Sequence, residues 1–211
     1  MVTAAARPDP ILQLIDRLIV VAEANDIPAC VVVNKTDLAS AAPICEHLAA
    51  AGYAVVTTAA KAGAGLEALR DLLINRVSVF TGPSGAGKSS LLNSLEPGLG
   101  LRVGEISVKL ERGTHTTVTA SMIPLAQGGF VVDTPGFSDV GVWDVAQESL
   151  AECFPEMRAV LSDCKYGDCL HRGEPGCAVK ALLGTDALPA ARYASYIAIL
   201  DELKAAPQDW E

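Results

Sequence analysis

The stretch from Gly82 to Ser89 combines residue types and a spacing that could bind phosphate. Its sequence is Gly-Pro-Ser-Gly-Ala-Gly-Lys-Ser, which fits the pattern G-x-x-x-x-G-K-[ST] of a phosphate-binding P-loop. Glycines let the backbone wrap around phosphate oxygens, and a helix that starts after the loop directs its N–H groups at an anion. Lys88 would reach the β- and γ-phosphates of a nucleotide as a binding and catalytic residue, while the Ser89 hydroxyl would bind Mg²⁺. The predicted phosphate contacts are Gly82, Pro83, Ser84, Gly85, Ala86, Gly87, Lys88, Ser89 and Ser90.

A plain glycine turn between a strand and a helix is the alternative interpretation of this stretch. The flanking sequence favours the phosphate site. Residues 77–80 before it are apolar and β-branched, as in a buried strand, and residues 91–95 after it are typical of a helix.

The sequence Asp133-Thr134-Pro135-Gly136 could complete this phosphate site. An Asp at the end of a strand can hold Mg²⁺ through water, and the Gly136 N–H can contact a γ-phosphate. Taken alone, D-x-x-G is equally well a turn. Together with a P-loop it indicates the second phosphate-and-metal element, in which Asp133 serves the magnesium ion.

The sequence Asn34-Lys35-Thr36-Asp37 predicts which base the nucleotide carries. A buried carboxylate at Asp37 would accept hydrogen bonds from N1–H and the N2 amino group of guanine, a donor pair that adenine lacks. Lys35 would pack its stem along the base, and Asn34 would tie this loop to the P-loop. A polar turn after a strand is the alternative.

The sequence Ala59-Ala60-Lys61 follows the next strand and resembles the S-A-K loop that contacts the guanine O6 through a backbone N–H. Ala59 stands where that loop usually has Ser, so one hydroxyl that braces the loop is lost. The backbone donor is kept, and we therefore assign this loop to the base as well.

Four residues near the C-terminus have the spacing of a metal site. Cys164, Cys169, His171 and Cys177 form the pattern C-x4-C-x-H-x5-C. Three thiolates and one imidazole make a closed tetrahedral site for structural zinc, which can stabilise a segment too small for its own core. A disulfide plus a free cysteine, or three buried thiols, are the alternatives.

Alternating strands and helices must position the nucleotide motifs. The alternation predicts an α/β fold with a mostly parallel sheet covered on both faces. Asn34, Gly82 and Asp133 each come directly after an apolar strand, so all three should meet at the carboxyl edge of the sheet. From about residue 145 the pattern changes, and we predict a GTPase domain over residues 1–144 and a small zinc-bound helical domain over residues 145–211.

The order of the motifs is unusual. Ordinary GTPases run P-loop, D-x-x-G, N-K-x-D, whereas here the base-reading motif comes first. A parallel sheet tolerates this order, because joining the old termini and opening the chain elsewhere leaves every strand in place. The sequence therefore predicts a circularly permuted P-loop GTPase.

These features together resemble the small-ribosomal-subunit-dependent GTPase A (RsgA) family over nearly the whole chain. The motifs that carry the resemblance are the permuted order, G-P-S-G-A-G-K-S, G-x-H-T-T, D-T-P-G-F, F-P-E and C-x4-C-x-H-x5-C. The resemblance implies an assembly factor for the small ribosomal subunit and its rRNA, with GTP hydrolysis stimulated by the ribosome. The family normally carries an N-terminal OB-fold, which we expect this chain to lack because Met1 already lies in the GTPase part.

The resemblance also implies how water is activated. Phe137 follows the D-x-x-G glycine, where Ras-like proteins place a catalytic Gln, and a phenyl ring cannot orient water. His115 matches the candidate of the family, since a neutral imidazole can accept a hydrogen bond from the attacking water. An exposed loop histidine without a role is the alternative. Thr116 or Thr117 would supply a further Mg²⁺ ligand.

Bulk composition narrows the partners and the compartment. The net charge of −9 argues against broad, nonspecific binding of nucleic acid. No apolar stretch is long enough for a membrane span and no secretory signal is visible, so we expect a cytoplasmic protein. We also expect a monomer, and the ligands to be GTP and GDP. The alternatives are a GTPase that acts on another RNA–protein partner and a nucleotide-dependent scaffold with little hydrolysis.

Overall fold

Strands and helices alternate along the first two thirds of the chain, and helices follow. The structure is a computed structural model that describes residues 1–101, 121–133, 141–142 and 145–205. The elements are β1 (Val2–Ala4), α1 (Leu12–Ala24), β2 (Cys30–Asn34), α2 (Ala42–Leu48), β3 (Ala54–Thr57), α3 (Leu66–Leu73), β4 (Val77–Phe80), α4 (Lys88–Leu95), β5 (Ser121–Pro124), β6 (Phe130–Asp133), α5 (Pro155–Arg158), α6 (Ala178–Leu182) and α7 (Ala190–Ala205). Short 3-10 turns lie at Ala60–Ala62, Leu150–Cys153 and Leu161–Asp163.

The chain forms two compact units. The first consists of Met1–Ile11, Cys30–Ala42 and Ala54–Asp139, and the second of Leu12–Ala29, Pro43–Tyr53 and Val140–Glu211. The helices α1 and most of α2 therefore belong to the second unit, although they lie in sequence between strands of the first. The domain boundary at residue 145 stays a prediction.

The strands of the first unit are mostly parallel, as the alternation predicts. One sheet has the order β1-β2-β3 with all pairs parallel, and the other has the order β4-β6-β5 with only β5 antiparallel. The Val2 N–H donates to the Thr81 carbonyl at 2.7 Å, so the end of β4 lies beside β1. Apolar side chains of α3 and α4 pack against strand residues in one core cluster.

One expectation about the sheet was wrong. The apolar sequence of β4 predicted a strand buried on both faces, yet Val77 and Val79 are 67% and 54% exposed. Met122 and Phe130 on the neighbouring strands are exposed as well. Only the alternate residues of β4, ending in buried Phe80, face the core. The apolar sequence of this strand therefore does not mean that both of its faces are buried.

The second unit is a helical cluster with its own apolar core. Phe154, Met157, Tyr196 and Leu200 are fully or almost fully buried in it. The rings of Phe154 and Tyr196 meet edge to face, with centroids 5.4 Å apart. Across the described ranges, no helix combines the length and the apolar composition that a membrane crossing needs.

Charged side chains form a buried network inside the same unit. The Arg192 guanidinium of α7 donates to Asp16 of α1 at 2.5 Å and to both oxygens of Glu156 on α5 at 2.5 and 3.1 Å. His47 of α2 places Nε2 2.9 Å from both carboxylate oxygens of Asp16. The guanidinium carbon lies 4.8 Å from the centre of the Phe154 ring. The network therefore links four helices, and it gives Phe154 and Glu156 of the F-P-E motif a structural role.

Candidate functional site

The three sequence motifs that follow strands begin at one edge of the first unit. β4 and β6 run parallel with Phe80 opposite Asp133, so Asp133 and the start of the P-loop lie at the same edge of the sheet. Asn34 ends β2, and its side-chain Nδ2 donates to the carbonyl of Ala86 in the P-loop at 3.1 Å. The base-reading sequence and the P-loop, 52 residues apart in the chain, are therefore in direct contact.

Asn34 also connects these two loops to the Ala59–Lys61 loop. Its Oδ1 accepts the backbone N–H of Ala60 at 3.2 Å and the Thr58 hydroxyl at 3.2 Å. Ser94 of α4 adds a link, because its hydroxyl donates to the Ala60 carbonyl at 3.2 Å. Asn34 is almost fully buried, and both polar atoms of its amide form hydrogen bonds within the protein.

Glycines of the P-loop lie where side chains have no space. A Cβ on Gly82 would come within 1.9 Å of the Val2 carbonyl oxygen, and one on Gly87 within 2.3 Å of Asn34 Nδ2. Gly87 has φ 96°, a left-handed conformation that favours glycine, and it directly precedes α4. The loop thus curves tightly into a helix N-terminus, the geometry that suits a phosphate group.

Lys88 and Ser89 open α4 next to this loop. The Lys88 ammonium donates to the carbonyls of Gly82 at 2.7 Å and Pro83 at 3.1 Å, so its charge lies inside the curve of the P-loop. Ser84 and Gly85 at the tip are exposed, whereas Ala86 is buried. Ser89 lies in the first turn of α4 and carries a hydroxyl, and Asp133 is the last residue of β6 and carries a carboxylate. Both groups are hard oxygen ligands of the kind that Mg²⁺ takes.

The base-reading residues are open to a ligand. Asp37 and Lys61 are exposed and Lys35 is partly exposed, so Asp37 is not buried within the protein as the sequence suggested. The Lys35 ammonium donates to the carbonyl of Arg7. Burial lowers the pKa of Lys35, and the charge of Lys61 acts in the same direction, although Asp37 opposes them.

Some of the predicted site residues lie outside the described residues. These are His115, Thr116, Thr117 and Gly136, together with Phe137. For Asp133 the strand position alone is described.

The predicted metal ligands come together in the second unit. The sulfur atoms of Cys164, Cys169 and Cys177 and a ring nitrogen of His171 all lie within 4.8 Å of one another. His171 Nδ1 is 3.6 Å from Cys164 Sγ and 3.4 Å from Cys177 Sγ. A tetrahedral zinc ion with ordinary bond lengths separates its sulfur and nitrogen ligands by roughly 3.6 Å. The cluster therefore fits a metal ion in both ligand chemistry and spacing.

The surroundings of the cluster favour metal-bound thiolates. The backbone N–H groups of Ala178 and Lys180 donate to Cys164 Sγ and Cys177 Sγ, each at 3.4 Å. Burial lowers the pKa of His171 and so favours the neutral imidazole that binds metals. Burial also raises the pKa of the Cys169 thiol to about 12, an effect that the charge of a bound cation would reverse.

Sequence reasoning missed the residues that shape this metal loop. The Glu174 carboxylate accepts hydrogen bonds from backbone N–H groups of the metal loop. The hydroxyls of Tyr193 and Tyr196 donate to backbone carbonyls of the same loop. Their signal was weak. An acidic residue between two ligands looks like any surface acid, and tyrosines in a helical segment look like ordinary packing residues.

Comparison with known proteins decides the family. A family model described as RsgA GTPase matches residues 1–143. The chain belongs to the RsgA GTPase family. A Gemmatimonas aurantiaca protein named small ribosomal subunit biogenesis GTPase RsgA is 48% identical over 206 residues, which are 96% of this chain and 67% of that protein. A Moorella thermoacetica protein of the same name is 44% identical over 205 residues, 96% of this chain and 71% of the relative.

Two solved structures agree with the fold. The crystal structure of YjeQ from Thermotoga maritima superposes with a TM-score of 0.80 and 34% identity, covering 98% of this chain and 70% of that one. YloQ, described as a circularly permuted GTPase, gives a TM-score of 0.78 and 32% identity, covering 100% of this chain and 69% of that one. The predicted permuted fold is therefore confirmed, and as a member of the family the chain is a GTPase.

Proposed function

We propose that the chain binds GTP at the carboxyl edge of the first unit and hydrolyses it while acting in assembly of the small ribosomal subunit. The observation that carries the nucleotide site is the position of Asn34. One buried amide joins the P-loop, through Ala86, to the base loop, through Ala60. This connection holds the two loops close enough for one ligand to contact both, as a guanine nucleotide does.

The residue roles follow from this placement. The P-loop and Lys88 hold the phosphates, Asp37 accepts from guanine, and Lys35 and Lys61 lie beside the base. Ser89, Asp133 and one of the loop threonines serve Mg²⁺, which would supply charge neutralisation on the phosphates. His115 orients the attacking water, a role proposed from the sequence alone.

The partner and the compartment are proposed from the relatives. Proteins similar over nearly the whole chain are named for small ribosomal subunit biogenesis. We assign to this chain the same subunit and its rRNA, stimulation of hydrolysis by that subunit, a cytoplasmic location and a monomeric state. The Cys164–Cys177 cluster holds one structural Zn²⁺ in the helical domain of residues 145–211.

Single-turnover hydrolysis tests this function directly. We would measure GTP cleavage by the purified chain alone, with purified small subunits, and with large subunits as the matched control. The proposal requires slow intrinsic cleavage that small subunits accelerate and large subunits do not. Tight GTP binding without acceleration would favour a nucleotide-dependent scaffold, and acceleration by both subunits equally would point to another RNA–protein partner. Equal binding of ATP and GTP would reject the guanine site.

A further inference from the structure

Glu174 occupies the loop between the ligands His171 and Cys177. Its Oε1 accepts the backbone N–H of Leu170 at 3.0 Å, and its Oε2 accepts those of Arg172 and Gly173 at 2.8 and 2.9 Å. One carboxylate thus collects the donors on both sides of His171. Burial opposes ionisation, but hydrogen bonds from the backbone outweigh it and lower the pKa of Glu174 to about 2, so the side chain is charged at neutral pH.

The conformation that Glu174 holds is one the chain does not adopt readily. His171 has φ 56°, in the left-handed region that is sterically unfavourable for a non-glycine residue. Contacts from other elements hold the carbonyls of the same turn. Tyr193 and Tyr196 donate to the His171 and Leu170 carbonyls at 2.7 and 2.9 Å.

These contacts divide the turn into two sets of anchored groups. The tyrosines of α7 hold two of its carbonyls, and Glu174 holds three of its N–H groups. The side chain of His171 is itself 4% exposed, with Nδ1 directed at the sulfurs of Cys164 and Cys177. The backbone that carries the His171 side chain is therefore held by contacts that do not involve a metal.

We propose that Glu174 is a positioning residue for the metal site, holding the Leu170–Gly173 turn so that His171 Nδ1 already faces the three thiols. The proposal rests on the proposed zinc site. Without Glu174 the ion would have to order the turn on binding, and that cost would appear as weaker affinity. Losing such a supporting contact typically lowers metal affinity about 10- to 100-fold.

Glu174→Gln is the direct test, because the amide keeps the size of the side chain. Only the oxygen of the amide can accept a hydrogen bond, and its NH2 group would face backbone N–H groups that are donors as well. Asp168→Asn is the matched control. It makes the same charge change next to the ligand Cys169, but Asp168 is exposed and outside the three hydrogen bonds of Glu174. Tyr193→Phe is a second variant, which removes the hydroxyl on the His171 carbonyl and keeps the ring.

Zinc affinity of the full chain would be measured by competition with a chromogenic chelator at fixed pH. We expect about 10- to 100-fold weaker binding for Glu174→Gln, a smaller loss for Tyr193→Phe, and wild-type affinity for Asp168→Asn. Cobalt-saturated Glu174→Gln should keep the wild-type visible spectrum, because the four ligands are unchanged.

The possible failures are distinguishable. Unchanged zinc affinity of Glu174→Gln would overturn the positioning role while leaving the zinc site intact. A changed cobalt spectrum would make Glu174 part of the ligand set instead. An equal loss of zinc affinity in Asp168→Asn would show that the effect comes from the change of charge and not from the hydrogen bonds of Glu174. A wild-type chain that binds no zinc would reject the proposed zinc site, and the positioning role with it.

Discussion

Arg192 offers the sharpest test of how the second unit is held together. Its side chain is 1% exposed, and the carboxylates of Asp16 and Glu156 that it contacts are 0% and 1% exposed. Arg192→Met keeps an unbranched apolar stem, although a shorter one, and removes the charge. Glu156 then loses the partner of both its oxygens, whereas Asp16 retains His47.

The expected loss is large because a buried charge is left without its partner. Removing one member of a buried ion pair costs about 3–5 kcal/mol. For a chain of this size, each kcal/mol lowers the melting temperature by about 2–4 °C, so a decrease of roughly 6–20 °C follows. The wild-type pair itself contributes much less, since desolvation offsets most of its attraction. Adding Glu156→Gln to Arg192→Met should therefore recover part of the loss, at least about 1 kcal/mol, because the orphan charge is gone.

Urea unfolding followed by circular dichroism, on zinc-saturated protein without nucleotide, measures these differences at constant ligand occupancy. Arg172→Met is the matched control, since Arg172 pairs with Asp201 on the surface, where the two side chains are 40% and 53% exposed. An exposed pair of this kind contributes at most about 1 kcal/mol. The reasoning fails if Arg192→Met costs no more than Arg172→Met, or if the double variant is as unstable as the single one.

Three further variants test the nucleotide site. Asp37→Asn replaces an acceptor with a mixed amide, so GTP binding should weaken by several kcal/mol while xanthosine triphosphate gains affinity, as competition binding would measure. Gly87→Ala places a Cβ 2.3 Å from Asn34 Nδ2 at a left-handed φ, so GTP affinity should fall at least about tenfold and stability by about 1–3 kcal/mol. His115→Ala should lower subunit-stimulated turnover in single-turnover assays and leave GTP affinity nearly unchanged, because the proposed contact forms in the transition state.

Each of these outcomes has a clear opposite. Normal GTP affinity without a gain for the xanthine nucleotide would remove Asp37 from base recognition. Gly63→Ala is the control for Gly87→Ala, because Gly63 has the same left-handed sign of φ but open space around its Cβ position. Equal GTP affinity in those two variants would show that the Asn34 contact is dispensable. A loss of GTP affinity in His115→Ala equal to its loss of turnover would make His115 a binding residue.

The sequence predicted the fold because its local signals agree with the long-range packing. Strand β4 was predicted at the residues where it lies, since a β-branched run ends at the P-loop glycine. The meeting of Asn34 with the P-loop also followed from sequence, because carboxyl ends of parallel strands share an edge. The exposed face of β4 could not be predicted in this way, since Val77 and Val79 look the same in sequence whether a helix covers them or not.

The buried charged network of the second unit could not be predicted from the sequence, for a physical reason. A P-loop or a metal loop is made by one contiguous stretch, so its chemistry imposes a spacing that can be read directly. Asp16 and Arg192 are separated by 176 residues, and the polar side chain of Asp16 appears in the sequence only as an interruption of an apolar helix. Its role depends on how α1 packs against α7 within the second unit. A charge in an apolar stripe is therefore a reason to expect a buried partner, but the partner is identified only by the packing of the helices.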